Sequence, residues 1–150
     1  MIEYHAILKT QGKNTLKQII LNADDFGRHT LINRAVERGV ADGILRSATL
    51  MPGGAAFDDA AALAARSSKL GVGIHLTLVN GNPVLPPAEI PSLVTEAGVF
   101  VDDHTAFAVR LLRGRVNLDE VRAELAAQLR RVEAAGIRPT HADSHQHTHV

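Results

Sequence analysis

Apolar positions fall along the chain in two alternating rhythms. In KQIILNADDFG, Ile19, Ile20 and Leu21 form a short apolar run that ends in Asn, Asp and Gly, the pattern of a buried strand entering a turn. From Thr30 to Asp42, Leu31, Ile32, Ala35, Val36 and Val40 follow helical spacing, and Gly43 supplies a stop. ILRSATLMPGG reads as a second strand closed by a Pro-Gly-Gly break. FDDAAALAARSSKLG is an alanine-rich helix, and GVGIHLTLV a third strand.

The rhythm then breaks. NGNPVLPPAEIPSLVTEAGVF holds four prolines and two glycines and predicts a long connecting loop, of a kind that often carries function. Helices resume near Asp103 to Arg113 and from Leu118 to Ala135, where Val121, Leu125, Leu129 and Val132 recur at helical intervals before Gly136. IRPTHADSHQHTHV supplies a fourth strand. Strand and helix in alternation argue for an α/β fold with a mainly parallel sheet. Residues 1–16 read as an irregular lead-in and 17–150 as one domain.

Composition narrows the function classes. Sixteen basic side chains face sixteen acidic ones, so no basic surface invites a nucleic acid or an anionic membrane. The absence of cysteine removes disulfides and thiolate metal sites, leaving imidazole and carboxylate as the available metal ligands. No apolar stretch approaches the roughly 20 residues of a membrane span. The first residues, MIEYHAILKTQGKNTLKQ, lack a signal-peptide core, so a cytoplasmic protein is expected.

In parallel α/β folds the working residues lie where strands end at their C-terminal edge. Three polar clusters fall there: NADDFG with Asp24 and Asp25, GIHLTL with His75, and HADSHQHTHV, which holds four of the eight histidines. Two histidines and a carboxylate would make a three-ligand face for one divalent ion, with positions left for water and substrate. In an extended strand His141, Asp143, His145, His147 and His149 would share one face, because the side-chain period is two. Only one or two of them can reach an ion that also takes ligands from other strands; the others would orient a ligand or meet substrate. Asp24 and Asp25 converge only where the strand gives way to a turn, and one could then ligate the ion while its neighbour accepts a proton from water.

NADDFG after an apolar strand, GIHLTL in the middle and THADSHQHTH after a helix together resemble the YdjC-like carbohydrate deacetylases, which include the chitooligosaccharide deacetylases. The resemblance runs from about Lys17 to the last residue. It implies a parallel-strand (β/α) barrel-like fold and hydrolysis of an N-acetyl group from an amino sugar. It also implies one divalent ion, Mg²⁺ or Zn²⁺, held by Asp25, His75 and His145, with Asp24 as general base. Asn22, His141, Asp143 and His147 become candidates for contact with substrate or with the ligands, and His147 or His149 for protonating the leaving amine. Family members run longer, so the chain is expected to form the first half of the barrel, as a fragment or as a half-barrel that pairs in a homo-oligomer.

Three other readings belong beside this one. The proline-rich loop resembles family members that deacetylate hopanoid-type glycolipid precursors. A phosphoesterase built on the HQHTH histidines would hold two or three ions. An inactive fragment would bind metal without turnover.

Overall fold

The computed structural model of the chain describes residues 19–148, so the lead-in expected over residues 1–16 and His149 lie outside the described residues. Four strands, β1 (Asn22–Phe26), β2 (Ser47–Leu50), β3 (Gly71–Leu76) and β4 (Ala142–Ser144), pair in parallel in the order β1-β2-β3-β4. Helix α1 (Thr30–Ala41) joins β1 to β2 and α2 (Phe57–Arg66) joins β2 to β3. The long segment after β3, then α3 (His104–Leu112) and α4 (Leu118–Ala134), leads to β4. Each new strand adds on the same side of the sheet. Right-handed crossovers put α1, α2 and α4 against one face of the sheet, the arrangement of a partial (β/α) barrel.

The two faces of the sheet differ chemically. Ala23, Phe26, Ala48, Leu50, Val72 and Ile74 point into a core completed by Val36 of α1, Phe57, Ala60 and Leu63 of α2 and Val132 of α4. The alternate positions Asn22, Asp24, Ser47, Thr49 and His75 are also buried, yet polar. This polar face is where a site can form.

The structure shifts two expected strands. Ile19 and Ile20 are 60% and 49% exposed, and regular pairing begins only at Asn22, opposite Ser47. β4 ends at Ser144, and His145–His147 form a turn of 3-10 helix in which Gln146 and His147 have φ of 51° and 55°. Left-handed backbone breaks the period of two, so the histidines beyond His145 do not continue along one strand face.

The segment 77–101 is irregular, as the prolines imply, but it builds a second core. Leu78, Val79, Ile90, Leu93 and Phe100 pack with Phe107 of α3. Helix α4 serves this segment in an unexpected way. Leu129, read as part of its apolar stripe, is 40% exposed, while Glu124 and Gln128 are fully buried. Glu124 accepts the backbone N–H groups of Val84 and Leu85 at 2.8 and 2.9 Å and a Gln128 Nε2 hydrogen bond at 2.8 Å. Gln128 in turn pairs with both backbone groups of Thr77. Buried backbone donors need acceptors, and a segment without its own ladder takes them from the helix.

Candidate metal centre

The paired aspartates owe their placement to a bulge. Ala23 faces Ala48 and Phe26 faces Leu50, so β1 uses one more residue than β2 over the same span. Asp25 takes up the extra residue with φ 59°, a conformation that costs a non-glycine residue roughly 1–2 kcal/mol and that Asp tolerates better than most. Phe26 thereby returns to the core, and Asp24 and Asp25 both line one cavity of about 240 Å³.

The turn that follows is pinned from behind. Gly27, at φ 93°, donates its N–H to Asn33 Oδ1 at 2.8 Å, and Asn33 donates to Ala56 O and to Asp59 Oδ2. A buried Asn on α1 thus ties the aspartate turn to the start of α2.

Within the cavity, three groups from three strand ends converge. Asp25 Oδ1 stands 3.0 Å from His145 Nδ1 and 3.4 Å from His75 Nε2, and the two nitrogens are 3.2 Å apart. That oxygen is buried and has no hydrogen-bond partner. An ion with bonds of about 2.0–2.2 Å has neighbouring donors about 3.0–3.5 Å apart, so the triangle fits one divalent cation. The donors present therefore suit the group that the sequence implies.

His75 is oriented for such a role. Its Nδ1 lies 2.7 Å from Asp143 Oδ1, so in the neutral ring Nδ1–H donates to the carboxylate and Nε2 turns a lone pair toward Asp25 and His145. Burial alone would lower the His75 pKa, but the hydrogen bonds and charges of Asp143 and Asp25 outweigh it and raise it to about 9. Burial likewise works to raise the Asp25 pKa. Its contacts with His145 and His75 prevail and hold the carboxyl far below the usual range.

His145 carries a competing contact. Arg28 Nη1 lies 3.1 Å from His145 Nε2, and a guanidinium can only donate. Holding an ion through Nδ1 requires the ring proton on Nε2, so it exchanges this contact for the one Arg28 also makes to Asp25 Oδ2 at 3.3 Å.

A second trio, Asp24, His75 and Asp143, also clusters closely enough for an ion. Its atoms are already bound within the chain. Asn22 Nδ2 donates to Asp24 Oδ1 at 2.7 Å, Thr49 Oγ1 to Asp143 Oδ2 at 2.9 Å, and His75 Nδ1 meets Asp143 Oδ1. This trio reads as a hydrogen-bonded support for the first.

Of the other expected residues, Asn22, Asp143 and His141 sit in that support. His141 Nε2 is 3.2 Å from both Asn22 Oδ1 and Ser47 Oγ, and its ring covers Gly73, where an added Cβ would come within 2.6 Å of it. His147 is exposed and is not among the residues lining the cavity. Ser47, Thr49 and Arg28 went unread. The alternation of Ser47-Ala48-Thr49-Leu50 carried a signal for the first two, since a half-polar strand inside a parallel sheet needs something to face.

Comparison with known proteins bears on the family and the fold. A family model described as YdjC-like protein matches residues 18–150. The chain is 41% identical over 135 residues to a carbohydrate deacetylase of Brevibacillus brevis, covering 89% of this chain and 50% of the relative. It is 36% identical over 135 residues to a chitooligosaccharide deacetylase of Klebsiella pneumoniae, covering 88% and 50%. A crystal structure of an Enterococcus faecalis protein, described as a candidate cellobiose-phosphate cleavage protein, superposes with a TM-score of 0.74 at 36% identity, covering 85% of this chain and 48% of that one. The chain therefore spans about half the length of the curated relatives it matches.

Proposed function

Because the chain belongs to the YdjC-like protein family, we propose that it contributes the metal site of a carbohydrate N-deacetylase. The observation that carries this reading is the buried Asp25 Oδ1, without a hydrogen-bond partner and facing the ring nitrogens of His75 and His145. Asp25, His75 and His145 hold one divalent ion. Two imidazoles and one carboxylate favour Zn²⁺ over Mg²⁺, which prefers oxygen ligands. Such an ion supplies Lewis acidity, making water a better nucleophile and polarising the acetyl oxygen.

The chain's own residues do the remainder. Asp24 lines the cavity beside the ligands, and Asn22 Nδ2 holds its Oδ1 at 2.7 Å. So fixed, it accepts the proton of the attacking water as general base. Asp143 fixes the ring orientation of His75 from behind, and Thr49 and Asn22 hold Asp143 in turn.

A phosphoesterase with several ions on HQHTH has less support, since His147 stands outside the cavity. Among the described residues, no helix is long and apolar enough to cross a membrane.

The test is acetate release from N-acetylglucosamine oligomers, and from a lipid-linked N-acetylglucosamine, with and without a chelator. Metal-dependent release from either supports the reading. Phosphate release from sugar phosphates without acetate release would replace it.

A further inference from the structure

Beside the metal cavity lies a second one of about 330 Å³, whose lining includes Arg28, Met51, Asn80, Asn82, Phe100 and Asp102. Arg28 lines both cavities, so a single guanidinium stands between them. It is anchored on each side. Nη1 reaches Asp25 Oδ2, the contact that does not compete with a metal ion, and Nη2 donates to Asn80 Oδ1. Asn80, held at φ 47°, donates onward from Nδ2 to Asp102 O at 3.0 Å. One polar chain thus runs from a metal-site carboxylate to the rim of the second cavity.

From this arrangement, and resting on the deacetylase reading, we infer that the second cavity is the subsite for the sugar ring. The acetamido arm extends past Arg28 into the metal cavity, and Arg28 positions the substrate where ring and arm meet. A pyranose shows hydroxyls around its edge and C–H groups on its faces. The cavity offers the matching surfaces, with a guanidinium, two carboxamides and a carboxylate against Met51 and Phe100. Its volume falls at the small end of the about 300–1,000 Å³ of ligand sites.

The Met-Pro-Gly-Gly turn after β2 finds its use here. A Cβ on Gly53 would stand 2.0 Å from Asn82 O, and one on Gly54 would stand 2.2 Å from Gly27 O. Only glycine lets this turn close against the 80–82 loop and against the aspartate turn at once, which draws the cavity walls together.

Ala55 lines the cavity, is exposed, and is not among the residues lining the metal cavity, so Ala55→Trp should block the subsite while leaving the ion in place. The assay adds N,N′-diacetylchitobiose to the zinc-loaded, full-chain Asp24→Asn variant, which should not consume it, and follows amide shifts by NMR. Shifts are expected at the Asn80 and Asn82 side chains and at Gly53 and Gly54. Adding Ala55→Trp should weaken binding roughly tenfold or more, with zinc affinity unchanged as the check on folding. Asn82→Ala provides a second, smaller perturbation with the same expected direction.

In the parent sequence, either change should raise KM with kcat retained. Acetate release from the parent with no effect of either variant would overturn the subsite and leave the deacetylase reading standing. Sugar shifts at the named residues without acetate release would do the reverse. Shifts elsewhere, or none, would sink the subsite.

Discussion

Glu124→Ala should loosen the wall of the second cavity by a predictable amount. The Glu124 carboxylate is fully buried and accepts three hydrogen bonds, from Val84 N, Leu85 N and Gln128 Nε2. Hydrogen bonds involving a charged group contribute about 1.5–3 kcal/mol each, and a buried donor left alone costs about 1–3 kcal/mol. Water can reach some of the vacated space, so a total of about 3–5 kcal/mol is expected rather than the full sum. That is a large part of the roughly 5–15 kcal/mol that stabilises an ordinary domain. Glu124→Gln keeps the shape, but its amide nitrogen must face one of the backbone donors, for a loss of about 2 kcal/mol. Urea unfolding of the metal-loaded chain gives the two differences, and hydrogen exchange at Val84 and Leu85 locates them. Because Asn80, Asn82 and Phe100 lie on the same segment, KM should rise before kcat falls. An alanine variant within about 1 kcal/mol of the parent, with those two amides as protected as before, would refute the reasoning.

Other perturbations address the metal centre. Asp24→Asn should lower acetate release about 10²–10⁴-fold while calorimetry shows the ion still bound; loss of the ion instead would reverse the two aspartates. Asp143→Ala removes the partner of His75 Nδ1 at 2.7 Å and should weaken metal binding about 10–100-fold, and unchanged affinity would show that His75 needs no such support. The metal-free chain should also show a bounded stability window. The raised His75 contributes stability that is complete below its ordinary 6.5 and disappears as pH rises through about 9. The depressed Asp25 contributes stability that is present above its ordinary 3.8 and falls away as pH drops below it. Thermal melts in chelator should therefore be highest between those limits, and a melting point that climbs from pH 6.5 to 9 would contradict the electrostatics.

Much of the framework was legible because it follows simple periods. The stripe from Leu31 to Val40 placed α1 within a residue of its observed end at Ala41, and the Pro-Gly-Gly break marked the end of β2. Strand-end positions in a parallel sheet pointed to NADDFG, His75 and the HADSHQHTHV cluster as one site, and only the family resemblance singled out Asp25, His75 and His145 within it. What stayed hidden departs from periodicity. A bulge at Asp25 leaves no mark in a pair of aspartates, and left-handed backbone at Gln146 and His147 cannot be read from alternating histidines. Glu124 and Gln128 look like the solvent side of an amphipathic helix. They are buried because a proline-broken segment with unpaired backbone donors lies against them, a need that arises only from tertiary contact. Arg28 escaped notice because nothing in DDFGR reveals that the guanidinium folds back between two cavities.

The most direct test is the divalent metal content of the folded chain, measured by elemental analysis after equilibration with zinc and dialysis. About one ion per chain is expected, lost when Asp25, His75 or His145 is replaced by alanine and kept when His147 is. No retained ion in a folded chain, or two or more that survive loss of His75, would contradict a single site built from three strand ends.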